Sequence, residues 1–162
     1  MTETRWLDET QQQAWQAMLV FFHRGLPALE RTFKAHDLLV VHFSILVALS
    51  EAPGKTLGLS ELADFSNVSQ SRLTHRLRTL IERGEVVIEP DPIDKRAKNA
   101  TLTPAGQDRL DLVTPTHAED VQQLFFDHLD PHETEVLAGA LAKVARNLCA
   151  HEQFARDEAL SE

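Results

Sequence analysis

Apolar positions change their spacing several times between Gly58 and Gly106, and each change marks an element. Leu62, Ala63, Phe65 and Val68 fit a short helix from about Ser60 with a turn at Ser66–Asn67. Leu73, Leu77, Leu80 and Ile81 then recur at helical spacing behind Ser69, whose side-chain oxygen suits the orphan amides of a helix start, and Gly84 supplies the stop. A three- or four-residue connection between two such helices is the spacing of a helix-turn-helix. Beyond it, Val86–Ile88 and Ala100–Thr103 are short β-prone runs separated by EPDPIDKRAKN, whose two prolines and charges exclude a central strand and describe an exposed hairpin tip. Helix, turn, helix and hairpin make a winged helix-turn-helix.

The flanks are helical. Asp8 with Gln11 forms a capping box ahead of Trp15, Leu19, Phe22, Leu26, Leu29 and Phe33, an apolar seam that spaces by fours and threes and ends near His36. Gly25 and Pro27 predict a kink or break near Phe22–Leu26. Leu39–Glu51 is the next helix, expected to back the helix-turn-helix, and Thr56–Leu59 fits a small third strand. Thr103 and Pro104 open a helix through Leu110, Val113, Val121 and Leu124 to about His128, bent at Pro115. Asp130, Pro131 and Glu133 open the last, carrying Val136, Leu137, Leu141, Val144 and Leu148, with a polar tail expected to fray after about Phe154. The chain is thus mainly α, six helices and a small hairpin. Its first helix and last two expose more apolar surface than a winged helix can cover, which predicts a homodimer.

The second helix of the motif carries the chemistry. Ser71, Thr74, His75 and Arg78 point away from its apolar stripe, Arg72 and Arg76 flank them, and no acidic residue stands between Ser69 and Ile81. Short hydrogen-bonding side chains and arginines on one face suit base edges and phosphates in a major groove. In isolation such a helix would equally suit a solvated surface; the neighbouring hairpin shifts the balance. Lys95, Arg96 and Lys98 fall at its tip, where an arginine can enter a narrow minor groove.

Net charge is −9 over 162 residues, which at first sight opposes DNA binding. Its distribution does not. The segment from Lys55 to Gly106 holds 8 Lys or Arg against 7 Asp or Glu, so of the chain's 16 basic and 25 acidic residues the acidic excess lies in the outer helices. No apolar run reaches the roughly 18 residues of a membrane span, MTETRWLDE lacks the basic start of a signal peptide, and a single cysteine, Cys149, suits a reducing compartment; a cytoplasmic protein is expected. Gly-rich phosphate loops, HExxH and CxxC are absent, and the histidines fall among polar positions, so no enzyme, cofactor or metal is expected. His128 and His132 do not share a helical face because Asp130 and Pro131 intervene. Cys149, among apolar neighbours, reads as a packing residue rather than a reactive thiolate.

LSELADFSNVSQSRLTHRLRTLIERG followed by DPIDKRAKNATLTPAG resembles the MarR family of bacterial transcription regulators, including its wing pattern of Asp-x-Arg, an apolar strand, Leu-Thr and Gly. The resemblance extends over nearly the whole chain and implies a single subunit, with dimerisation helices at 8–36 and 104–156 around a DNA-binding region at 39–103. It implies that Ser69, Gln70, Ser71, Thr74, His75 and Arg78 face the major groove, that Asp94 braces the wing and that Arg96 enters the minor groove. It also implies a ligand cleft between the dimerising helices and the motif, with Trp15, Phe22 and His42 as candidate lining. Two positions depart from the family pattern: Glu85 stands where Leu is usual and Glu89 where a basic residue is common, two carboxylates expected to oppose phosphate.

The reading is a sequence-specific, DNA-binding regulator: a homodimeric repressor on a pseudo-palindromic operator, relieved by a small aromatic or lipophilic effector, with no membrane partner. A winged-helix module that binds another protein, or an accessory domain of an enzyme, stays open at this point.

Overall fold

The computed structural model describes residues 4–159 apart from Asn67 and Lys95, and side chains as far as Leu148. Two compact units divide the chain after Asp120.

The first unit opens with α1 (Glu9–Val20), capped by Asp8: its Oδ1 accepts from Gln11 N at 2.8 Å, and Gln11 Oε1 accepts from Asp8 N at 3.1 Å. Where a kink or break is expected, near Phe22–Leu26, the helix is irregular but unbroken. A π turn at Phe21–Gly25 widens the helix by one residue and leads directly into α2 (Leu26–Ala35), with Pro27 near its start. Proline cannot complete an α-helical ladder with the preceding turn, and a locally wider turn accommodates it without interrupting the helix. Along the apolar seam Trp15, Phe22 and Leu26 are exposed, on both sides of this turn, while Phe33 near the end of α2 is buried.

Two residues past the end of α2 stands Asp37, a non-glycine residue at φ 53°. Leu38 N donates to Phe33 O (2.8 Å) and Asp37 N to Lys34 O (3.0 Å), the two bonds of a left-handed helix stop in which aspartate takes the place glycine usually holds. α3 (Val40–Glu51) follows without a side-chain cap at Leu39 and sinks Ile45, Leu46, Ala48 and Leu49 into the core.

Packed on α3 are α4 (Leu59–Phe65), α5 (Gln70–Glu82) and an antiparallel sheet of order β1 (Thr56–Gly58), β3 (Lys98–Leu102), β2 (Val86–Pro90). The expected third strand is therefore present. Register pairs Val86 with Leu102 and Ile88 with Ala100, and period two turns Val86, Ala100 and Leu102 into the core. Lys98 pairs with Pro90, which places it in β3 rather than at the hairpin tip, and Thr103 lies beyond the strand as a helix cap.

α6 (Pro104–Leu124) starts where Thr103 Oγ1 accepts from Gly106 N at 3.1 Å and donates to Gly84 O at 2.6 Å. A Cβ on Gly106 would lie 2.2 Å from Glu85 O, so only glycine lets the helix approach this closely. The helix continues through Pro115. Near its middle His117 joins Phe33 and Phe43 in a ring cluster with centroids 4.8–5.0 Å apart, and Thr32 donates to Asp120 nearby. Two histidines thus depart from the polar surroundings expected of them: His42 is buried and His117 is packed against rings.

In the second unit a short 3-10 turn at Phe126–His128 precedes α7 (Pro131–Ala159), which continues past Phe154. Asp130 Oδ1 accepts from Glu133 N and Glu133 Oε2 from Asp130 N, both at 2.9 Å, as the capping pattern predicts. Val136, Leu141, Val144 and Leu148 are all exposed on α7. Cys149 lies in this helix, its side chain outside those described. Among the described residues no single helix is long and apolar enough to cross a membrane.

Candidate nucleic-acid interface

Helix α5 is fixed from behind and at both ends. Leu73, Leu77 and Leu80 are fully buried, whereas Ile81, expected in the same stripe, is 41% exposed because it lies past the edge of the core. Ser69 Oγ accepts from Arg72 N at 3.4 Å at the start. At the end Gly84 N donates to Ile81 O and Glu85 N to Leu80 O, both at 2.9 Å, with Gly84 in the left-handed region at φ 69°.

The free face carries the polar set. Ser69, Gln70, Ser71, Arg72, Thr74, His75 and Arg78 are all exposed. Thr74 Oγ1 donates to Gln70 O at 2.9 Å, so toward an outside partner it offers acceptor lone pairs; the Ser69 and Ser71 hydroxyls lie 3.2 Å apart. An open groove of about 520 Å³ runs along this face between Val41, Val68, Ser71, Arg72, His75 and Arg76, and a smaller one of about 250 Å³ continues past Arg76 toward Lys34 and Glu30. Hydroxyls beside guanidinium groups, with no carboxylate among the residues lining the larger groove, are chemistry for an anionic, hydrogen-bonding surface such as a duplex.

The hairpin tip is held by carboxylates acting on its own backbone. Asp91 Oδ1 accepts from Ile93 N and Asp94 N, both at 2.8 Å, and Oδ2 accepts from Asn99 Nδ2 at 2.9 Å. The Asp94 amide, the Asn99 side chain and the Ile93 amide, in that order, hold the Asp91 carboxyl below the usual carboxylate range. The Asp94 carboxylate accepts from Arg96 N at 2.9 Å, and its backbone oxygen from Ala97 N, also at 2.9 Å. Most of the bracing the resemblance implied for Asp94 thus comes from Asp91, and an aspartate ahead of proline, a common turn opening, was the signal for it. Arg96 and Lys98 are exposed; Lys95 lies outside the described residues.

Glu85 does not oppose phosphate. It is buried, and Arg109 of α6 donates from Nε to its Oε1 at 2.9 Å. Glu89 is exposed on β2, so one of the two expected carboxylates remains on the surface.

The candidate effector residues are scattered in environment. Trp15 and Phe22 are half-exposed on α1 and the π turn; His42 is buried in α3, with neither ring nitrogen partnered among the described residues. Burial, then Arg83 and Arg76, push the His42 pKa down, against a smaller opposing effect of Asp37, and so favour the uncharged ring. None of the three lines either groove above. An ion pair between Arg83, the C-cap of α5, and Asp37 also escaped the sequence, since the partners are 46 residues apart and no spacing rule joins them.

Comparison with known proteins converges on this arrangement. Residues 36–97 match the sequence model of the MarR family. YkoM, an HTH-type transcriptional regulator of Bacillus subtilis, is 31% identical over 114 residues, 70% of this chain and 71% of YkoM. Among solved structures, AbsC of Streptomyces coelicolor, a MarR family transcriptional regulator, is 33% identical with a TM-score of 0.84, covering 90% of this chain and 98% of AbsC. Sco3205 of the same organism, a MarR family regulator solved in complex with DNA, is 32% identical with a TM-score of 0.85, covering 91% and 93%.

Proposed function

Because this chain belongs to the MarR family of transcriptional regulators, a family that works by binding DNA rather than by catalysis, we propose that it is a homodimeric repressor relieved by a small organic effector. The observation that carries the DNA reading is the exposed Ser71–Arg72–Thr74–His75–Arg78 face of α5, held rigid by a fully buried leucine stripe, in a chain similar along most of its length to a regulator solved on DNA. Side chains from Ser69 to Arg78 would read the major groove, and Arg96, with Lys95 and Lys98 beside it, would follow the minor groove and backbone. Such a protein acts where the chromosome is, in the cytoplasm.

The homodimer reading rests on apolar surface that each unit leaves uncovered: Trp15, Val20, Phe22 and Leu26 in the first, Val136, Leu141, Val144 and Leu148 in the second. Dimerisation helices at 8–36 and 104–156 would set two recognition helices about one turn of DNA apart on a pseudo-palindrome. For the effector, Trp15 and Phe22 supply aromatic surface and His42 unpartnered ring nitrogens, the mixture of apolar wall and few polar atoms that small organic ligands require. The decisive experiment selects genomic fragments with the purified protein and footprints the recovered site. A protected inverted repeat is expected; recovery of no enriched sequence would favour the protein-binding module instead.

A further inference from the structure

Arg83 stands at the end of the recognition helix, where a cation would ordinarily be free to meet a phosphate. It is engaged within the chain instead. Its Nη1 donates to the backbone oxygen of Asp37 at 2.7 Å and its Nη2 to the Asp37 carboxylate at 2.6 Å, so one guanidinium grips both the main chain and the side chain of a single residue. That residue is the left-handed stop between α2 and α3. The preceding carbonyl, His36 O, accepts from Arg109 Nη1 at 3.4 Å, and Arg109 in turn holds buried Glu85, two residues past Arg83. Both arginines converge on the α2–α3 joint and tie it to the segment that ends α5.

The pair is a poor source of stability: the Asp37 side chain is 89% exposed, and exposed ion pairs contribute little. What it supplies is geometry. Over the 13 residues of α5, at 1.5 Å per residue, a tilt of roughly 10° about the Arg83 end moves the Ser69 end by about 3 Å. A hydrogen bond to a base edge tolerates a few tenths of an ångström. We propose that Asp37 and Arg83 are positioning residues for sequence reading: touching no base, they fix the angle at which α5 is presented. The inference rests on the DNA reading above.

The test compares wild type, Arg83→Gln, Arg83→Lys, Asp37→Asn and the double variant Asp37→Asn/Arg83→Gln. Each is titrated over a salt series on the fragment recovered by wild type and on its scrambled duplex, with the thermal midpoint recorded. Asparagine tolerates the left-handed conformation and leaves the bond to the backbone oxygen possible, so Asp37→Asn carries the test if an arginine variant fails to fold. Each single variant should lower the ratio of specific to scrambled affinity about fivefold or more, the size of one spoiled base-pair contact, with an unchanged salt slope. Arg83→Lys, which keeps the charge and loses the fork, should fall with them, and the double variant should be no worse than the worse single. A loss confined to the Arg83→Gln variant, equal on both duplexes and with a shallower salt slope, would make Arg83 a phosphate contact and overturn the proposal. Unchanged ratios in folded variants would overturn it too. If wild type itself shows no preference between the duplexes, the DNA reading fails, an outcome distinct from either.

Discussion

If α5 and the hairpin meet a duplex as proposed, Arg78 and Arg96 separate two ways of recognising it, one by base edges and one by groove shape. Arg78 is exposed one turn after Thr74 on a rigid helix, so Arg78→Ala should cost about 1–3 kcal/mol on the specific site and relax preference at one base position per half-site. Arg96 stands on a tip braced by Asp91 and Asp94, and Arg96→Ala should weaken binding to all sequences with a shallower salt dependence. Titrations on specific and scrambled DNA distinguish the two. Acid stability is a residue-scale property of His42 and His117. Burial lowers both pKa values; at His42 Arg83 and Arg76 add to it and Asp37 opposes it, and at His117 Asp120 opposes it. A histidine whose folded pKa is depressed contributes stability fully present above its unfolded value of about 6.5 and lost as pH falls through the folded value. The melting temperature should therefore hold level above about pH 6.5 and fall below it, and His117→Phe, which keeps a ring against Phe33 and Phe43, should flatten part of that limb.

At the scale of elements, the sequence announced what depends on local chemistry. The Ser69 cap, the Leu73–Leu77–Leu80 stripe, the Gly84 stop and the Asp130 box all stand where spacing puts them. It did not announce features made by residues far apart, such as Glu85 with Arg109 or Asp37 with Arg83, because an isolated charge in a sequence carries no sign of its partner. Pattern alone therefore groups Glu85 with the surface carboxylates and His42 with the polar histidines, whereas both are buried. Two element-scale substitutions follow from close geometry. Gly106→Ala places a methyl 2.2 Å from Glu85 O and should cost about 1–3 kcal/mol in denaturant titration, displacing α6 from the β2 lead. Asp91→Ala removes three acceptor contacts at the hairpin tip and should speed amide exchange at Ile93 and Asp94 while leaving exchange in α3 unchanged.

For the whole molecule, net charge is a poor guide to what a duplex would meet. The total is −9, yet of the acidic residues near the wing Glu85 is buried against arginine, and Asp91 and Asp94 are engaged by backbone amides. The apolar seam was legible as a surplus in need of a partner, and it predicts a mass twice that of the 18.2 kDa chain in sedimentation; removing the residues before Ala35 should abolish the dimer or the fold, and a stable monomeric fragment that still binds DNA would refute it. The seam also ran straight through a register change that spacing alone could not show. At the π turn of Phe21–Gly25 the chain spends one residue more than an α-helix would, and one residue is about 100° of rotation. In a homodimer built on α1, a single insertion or deletion there would swing the whole N-terminal arm around its axis and with it the separation of the two DNA-reading surfaces. The spacing of the sites such a dimer could read would then be open to a one-codon change, in a segment outside both the α5 face and the hairpin.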